Sequence, residues 1–273
     1  MTPLHLVWVT FAVICATCWI LSIVTKEHSW VDRMWSIAPV IYVGEFARAA
    51  HFHNARLNAM ALLVLAWGAR LTFNFARKGG YSGAEDYRWP VLRAGMKNWQ
   101  FQLFNIFFIV LYQNFLLVLI SLPALTAYRH QSTAFDAWDL LLVVGFLFLL
   151  AGETLADQQQ WNFQEGKKKV IAAGDIPEKR FLTTGLFKFS RHPNYFFEIK
   201  QWWVLYLIGC NSIGLLFQRT IIGPVLLTLL FIGSTRFTEK LSLAKYPDYA
   251  DYQASTSAII PWFAKRGARK LTA

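Results

Sequence analysis

Charge is scarce in this chain. Asp, Glu, Lys and Arg make up only 16% of its 273 residues, while hydrophobic residues make up 55%. A soluble domain usually carries about 25% charged residues to keep its surface wetted. The shortage excludes an ordinary water-soluble fold and points to a polytopic membrane protein. Cysteine is nearly missing: Cys15, Cys18 and Cys210 all fall in apolar surroundings. Without His or further Cys nearby, they complete neither a disulfide framework nor a tetrahedral metal set. There is no glycine-rich dinucleotide fingerprint, P-loop, nucleophile elbow or zinc-ligand cluster. A Rossmann domain is thereby excluded, and any nucleotide has to bind among helices. Neither a repeat of solenoid length nor a low-complexity tract occurs, so residues 1–273 are expected to form one integral membrane domain. Residues 1–25 lack a basic n-region and a small-residue cleavage site, which predicts a first spanning helix and no removed signal peptide.

Apolar runs fall near residues 4–25, 35–50, 57–76, 100–125, 137–156, 194–212 and 217–235, which predicts an all-α bundle of about seven transmembrane helices. The second run is short and carries Glu45, and the sixth holds Glu198, Lys200 and Gln201. Basic residues are strongly one-sided. Segments 26–33, 77–98, 157–193 and 236–273 hold 21 of the 27 Lys and Arg. The positive-inside rule then sets the N-terminus outside and the C-terminus in the cytoplasm. The net charge of +11 is therefore mostly topology and does not indicate nucleic acid. The tail cluster Lys265, Arg266, Arg269 and Lys270 suits anionic membrane lipids. Two basic-side loops are long, 77–98 and 157–193, and loops of such length are commonly functional.

Polar side chains at membrane depth cost roughly 2.5 to 3.5 kcal/mol when charged, so they normally face a protein interior or a wet cavity. Glu153, Asp157, Gln160 and Gln164 share one face of the fifth helix and its extension. Asn194, Glu198 and Gln201 repeat the pattern on the sixth, and Trp67, Arg70, Asn74 and Arg77 on the third. Three such faces on the basic side predict a pocket for something polar and anionic, against the alternative of helix-to-helix hydrogen bonds. In Arg191-His192-Pro193-Asn194, Pro193 pre-sets a helix start whose free N–H groups suit a phosphate. The same turn equally suits a simple helix cap. Trp30 through Ser36 places Asp32, Arg33 and two indoles at the edge of the second helix, either as an interfacial salt bridge or as part of the pocket.

The runs GLFKFSRHPNYFFEIKQWW and RLTFNFARKGGYSGAEDYRW, with the tail Lys245-Tyr246-Pro247-Asp248-Tyr249, Tyr252 and Ile260-Pro261-Trp262, resemble the DUF1295 group of the steroid 5α-reductase family. The likeness spans about residues 26–263, and the Arg-His-Pro turn is shared with isoprenylcysteine carboxyl methyltransferases and sterol reductases. The resemblance implies a seven-helix enzyme that buries NADPH on its cytoplasmic side, mainly within 136–263, and holds a lipid-like enone mainly within 1–135. Carried across, Asn194 and Glu198 match the family's N-x-x-x-E and Asp157 the Asp that ends the fifth helix. Lys167, Arg180 and Arg191 are the candidate phosphate partners; Gln164, His192, Tyr195 and Tyr249 join the cofactor set. Arg236 and Glu239, beside Thr235, fall near conserved C-terminal positions. Asp32, Arg33 and Trp67 stand where the animal reductases carry a Gln-Glu pair and a Tyr, and the chain departs from that pattern.

The expectation is an NADPH-dependent reductase of a C=C bond conjugated to a carbonyl in a steroid-like or isoprenoid lipid, in a bacterial inner membrane or the endoplasmic reticulum. Asp32, Arg33, Trp67 and Tyr87 are the catalytic candidates. Arg33, Tyr87 or a protonated Asp32 would donate to the developing enolate, burial raising the carboxyl pKa to keep Asp32 neutral. The alternative is an S-adenosylmethionine-dependent methyltransferase acting on a lipid or prenylated carboxylate, and a non-enzymatic membrane or transport protein comes third. No metal is expected.

Overall fold

Local chemistry sets where the helices begin and end. The computed structural model describes residues 1–83 and 85–263, so the basic tail cluster at 265–270 lies outside the described residues. Helix α1 (Pro3–Thr25) starts on Thr2, whose side chain accepts from the His5 N–H at 3.3 Å, with Pro3 in its first turn. A short α2 (Trp30–Trp35) leads to α3 (Ala38–Ala49). Asn54 caps α4 (Ala55–Arg77) by accepting from the Leu57 N–H at 3.0 Å. After α5 (Arg88–Ala94), α6 (Asn98–Phe104) runs into a π-helical stretch, Asn105–Tyr112, and on into α7 (Gln113–Ser121). Pro123, which has no N–H to continue the ladder, opens α8 (Pro123–Arg129). The rest is α9 (Ala137–Ala172), α10 (Pro193–Asn211), α11 (Ile222–Lys245) and α12 (Tyr249–Ser255). Among the described residues the β-type pairing is a single parallel bridge, Ser190 to Ser257.

Among the described residues, five helical stretches are long and apolar enough to cross a membrane: Pro3–Thr25, Ala55–Arg77, Asn98–Arg129, Ala137–Ala172 and Arg219–Lys245. The chain is an all-α membrane protein. The run expected at 35–50 yields α3 of 12 residues, about 18 Å at 1.5 Å per residue and short of the ~30 Å hydrocarbon core. Helix α10 is long enough at 19 residues but carries Asn194, Glu198, Lys200 and Gln201. Much of the 157–193 segment, expected as a loop, is helical: α9 continues as far as Ala172.

The chain divides into two compact units. The first comprises Met1–Phe146 and Trp202–Leu227, the second Leu147–Gln201 and the described residues from Thr228. In the first, α3 packs on α1, α4, α7 and α8. Gly68 permits the close approach of α4: a Cβ there would meet the Ser36 carbonyl oxygen and Val40 Cγ2, each at 2.6 Å. The Ser36 and Thr72 hydroxyls bond across the same contact at 2.7 Å. Arg56 and Asp139 form a buried two-point pair, Nε to Oδ1 at 2.9 Å and Nη2 to Oδ2 at 2.6 Å. The remaining guanidinium donors reach the Thr133 and Ala134 carbonyls. In the second unit Gly152 lets the Phe197 ring lie against α9, where any Cβ would come within 2.5 Å of it. Phe181 stacks on Tyr252, whose hydroxyl donates to the Phe187 carbonyl.

Candidate functional site

Two of the expected polar faces meet in the second unit. Glu153 and Asp157 on α9, and Glu198 and Gln201 on α10, are buried. Gln201 Nε2 donates to Glu153 Oε2 at 2.6 Å, and Asn194 Nδ2 reaches Asp157 Oδ1 at 3.5 Å, the long limit of a hydrogen bond. Gln160 and Gln164 continue the α9 face half-buried. Lys200 is exposed, its ammonium 5.9 Å from the centre of the Phe196 ring. The Gln201 carboxamide oxygen and the Thr235 hydroxyl are buried with no partner among the described residues. Such groups are costly inside an apolar bundle and call for a ligand or solvent.

The Arg-His-Pro turn serves a different purpose from the one expected of its side chains. Arg191 donates through Nε and Nη2 to the two oxygens of Glu239, at 2.6 and 2.9 Å, and through Nη1 to the carbonyls of Gln253 and Thr256. His192 Nε2 lies 3.1 Å from Glu239 Oε1, and Gln253 Nε2 donates to Oε2 at 2.9 Å. The Arg191 and His192 N–H groups donate to the Ser257 and Ala258 carbonyls, and the Trp262 N–H to the Phe189 carbonyl. Arg191, His192 and Glu239 thus clasp the chain after α12, and Arg191, with its side chain 8% exposed, is occupied by protein acceptors. Tyr195 stacks on His192 and meets Phe231 edge-on. Tyr249 is buried against Phe181. Arg236 is exposed and stands apart from its buried neighbours Thr235 and Glu239.

Lys167 and Arg180 are the other cationic residues of this unit expected at the site. Lys167 Nζ donates to the Arg180 carbonyl at 2.8 Å and to the Tyr246 hydroxyl at 3.0 Å, which lowers the Tyr246 pKa. The Arg180 guanidinium is half-exposed and sits 3.9 Å from Asp248.

The remaining candidates fall in the first unit. Asp32 accepts from Trp89 Nε1 at 3.1 Å, and burial pushes its carboxyl up to about 6 despite the attraction of Arg88. Arg33, expected either beside Asp32 in an ion pair or in the pocket, turns to other partners. Its Nη2 donates to Glu27 at 2.8 Å, its Nε to the Gly80 carbonyl at 3.0 Å, and its guanidinium lies 4.3 Å from the Trp30 ring centre. His28 is buried beside Glu85, which also takes two hydrogen bonds from Arg93. Burial holds the His28 pKa below its usual value, leaving the imidazole neutral. Trp67 is fully buried, edge-to-face with Trp202 at 4.8 Å, and neither indole N–H has a partner among the described residues. Tyr87 is 58% exposed where α5 begins. Asn74 is buried and accepts twice from Arg77, at 2.9 and 2.7 Å.

Sequence reasoning missed Tyr42. It is fully buried on α3, and its hydroxyl has no partner among the described residues. The available signal was spacing: Ala38, Tyr42 and Phe46 line one face, and all are buried. The missed Glu27, His28, Glu85 and Arg93 come from segments far apart in sequence and show no local pattern.

The fold and these seams define a helical membrane protein with polar groups held in its interior. The chain belongs to the family described as "Protein of unknown function (DUF1295)", which it matches over residues 18–256. It is similar to an uncharacterized protein of Schizosaccharomyces pombe, 39% identical over 258 residues that cover 89% of this chain and 75% of the relative. No solved structure matches it.

Proposed function

We propose that this protein is an NADPH-dependent reductase of a C=C bond conjugated to a carbonyl in a steroid-like or isoprenoid lipid. The observation that carries the reading is the buried α9–α10 seam: Glu153 to Gln201 and Asp157 to Asn194, with Glu198 also buried on α10 and the Gln201 oxygen and Thr235 hydroxyl without partners among the described residues. A bundle of apolar helices does not bury this many polar groups without use. The resemblance to steroid 5α-reductases gives the seam its ligand. The donor set fits a polyanionic dinucleotide, with one change from the sequence expectation: Arg180 and Lys167 are available for its phosphates, and Arg191 is held by Glu239. Asn194, Glu198, Gln201 and Thr235 would bind its polar groups. NADPH supplies the hydride.

The chain's own residues then have the substrate to orient and a developing enolate to stabilise. Asp32, whose carboxyl titrates near 6, holds a proton into the mildly acidic range, and Arg33 Nη1 and the Trp67 indole N–H, without partners among the described residues, are further donors. The reading includes about seven transmembrane helices, with the N-terminus outside and the C-terminus in the cytoplasm of a bacterial cell or facing outward from the endoplasmic reticulum. Membrane lipids would supply the hydrophobic substrate.

Thermal unfolding of the purified protein tests the reading. NADPH is expected to stabilise it more than NADH does, and Asn194→Ala and Glu198→Ala each to abolish that stabilisation in a folded protein. Equal effects of the two nucleotides, or stabilisation by S-adenosylmethionine alone, would overturn it, the second in favour of a lipid methyltransferase.

A further inference from the structure

The turn between α10 and α11, which lies wholly in the first unit, is built against the pattern of a loop in water. Gly214, at φ +66°, bends the chain back after α10. The next three residues are all large and apolar, Leu215 and Leu216 more than half exposed and Phe217 84% exposed. Contiguous apolar exposure of this kind marks a surface made to be covered. The polar groups beneath these side chains are bonded from within. Tyr206 on α10 donates its hydroxyl to the Leu216 carbonyl at 2.7 Å and accepts from the Gln218 N–H at 3.2 Å. The Cys210 thiol repeats the pattern, 3.5 Å from the Leu216 carbonyl and 3.4 Å from Gln218 Nε2. The Gln218 carboxamide oxygen accepts from Thr126 Oγ1 at 2.8 Å, and its carbonyl from the Ile221 N–H at 3.0 Å. A loop in water leaves such groups to solvent, whereas a segment in hydrocarbon has to satisfy them internally.

We infer that Leu215, Leu216 and Phe217 sit among the acyl chains of the bilayer, with Arg219 at the level of the lipid phosphates, so that the turn from α10 to α11 stays within the membrane. The mounting of the turn supports this. A Cβ at Gly209 of α10 would meet the Pro123 carbonyl oxygen at 2.9 Å, and one at Gly223 of α11 the Leu119 carbonyl oxygen at 2.5 Å, so both arms rest on the corner between α7 and α8. Thr126, which anchors Gln218, stands three residues before Arg129, the end of the apolar stretch Asn98–Arg129. At 1.5 Å per residue the stretch runs about 4.5 Å further, so Gln218 is level with its last turn and not beyond it. Arg219 is exposed, and its long side chain suits a reach from apolar surroundings to an anionic headgroup. Asn211 Nδ2 donates to Asp136 Oδ1 at 3.0 Å, which brings the start of α9 alongside, where Trp138 is exposed as indoles are at a membrane interface. Apolar exposure continues along α9 at Leu141 and Val144 and into α11 at Ile222, as a surface facing lipid requires. The inference does not rest on the proposed reductase activity.

The test uses the full chain in phospholipid vesicles. Leu216→Cys, Phe217→Cys and Arg219→Cys are each labelled with a nitroxide, and the parent, whose Cys15, Cys18 and Cys210 are buried, gives the background. Electron paramagnetic resonance then compares collision of each label with oxygen, which concentrates in hydrocarbon, and with a water-soluble nickel chelate. Oxygen is expected to exceed the chelate several-fold at positions 216 and 217, and the ratio to fall at 219. A chelate that reaches 216 and 217 as readily as oxygen does would overturn the inference in favour of a loop in water. Exclusion of both, with dipolar broadening between labels, would overturn it in favour of a second copy of the chain. Should the substituted chains fail to fold, the unmodified protein decides. It is irradiated in vesicles whose phosphatidylcholine carries a diazirine midway along the acyl chain, and mass spectrometry is expected to find lipid adducts within residues 212–219; their absence there would overturn the inference. Failure of NADPH to bind would remove the proposed function and leave this turn in the membrane.

Discussion

Replacing Glu239 by Ala separates a scaffold from a cofactor contact. Its two oxygens accept from Arg191 twice, from Gln253 once, and lie 3.1 Å from His192 Nε2. Removing the carboxylate leaves the Arg191 guanidinium, 8% exposed, with only the Gln253 and Thr256 carbonyls. Breaking a buried pair from one side costs about 3 to 5 kcal/mol, because the surviving charge is uncompensated. The loss should appear first where Arg191 and His192 hold the chain from Ser257 to Trp262. Limited proteolysis of the purified protein should therefore cut after α12 in Glu239→Ala at protease levels the parent withstands, and the unfolding midpoint should fall. The double change Arg191→Met with Glu239→Leu removes both charges and should recover most of the stability, since apolar replacement of a buried pair is often neutral or favourable. The outcome that refutes this is Glu239→Ala unfolding within ~1 kcal/mol of the parent yet losing all stabilisation by NADPH. Glu239 would then act on the nucleotide directly.

Two further outcomes follow from the first unit. Asp139→Ala, which strands a fully buried Arg56, should cost about 3 to 5 kcal/mol, and Arg56→Met with Asp139→Leu much less; unfolding in graded denaturant measures both. Asp32 titrates near 6 when folded against 3.8 as its ordinary value, so the native state binds its proton more tightly than the unfolded state does. The stability this gives is fully present below about pH 4 and is lost as pH rises through 6. Asp32→Asn should accordingly become more stable relative to the parent from pH 4 to pH 7, by roughly 2 to 3 kcal/mol at ~1.4 kcal/mol per unit, and midpoints that run parallel across that range would contradict it.

How much was legible in the sequence depended on whether the physics was local. The spacing of Glu153, Asp157, Asn194, Glu198 and Gln201 follows the helical repeat, so both faces were readable, and in the structure Gln201 meets Glu153 at 2.6 Å. What each polar group bonds to was not readable. A sequence shows Arg191 in a basic segment, but the acceptors that occupy it are 48, 62 and 65 residues away along the chain, at Glu239, Gln253 and Thr256. The same distance effect sends Arg33 to Glu27 and Gly80, and pairs Arg56 with Asp139 83 residues away. Apolar runs proved a coarse measure. They gave the five long stretches, yet the run at 35–50 contains α3 of only 12 residues, and the run at 100–125 passes through α6, a π-helical stretch and α7 before Pro123. Tyr42 is the instructive omission. One Tyr in an apolar helix resembles an ordinary core residue in every sequence measure, and only its full burial with no hydroxyl partner among the described residues marks it out.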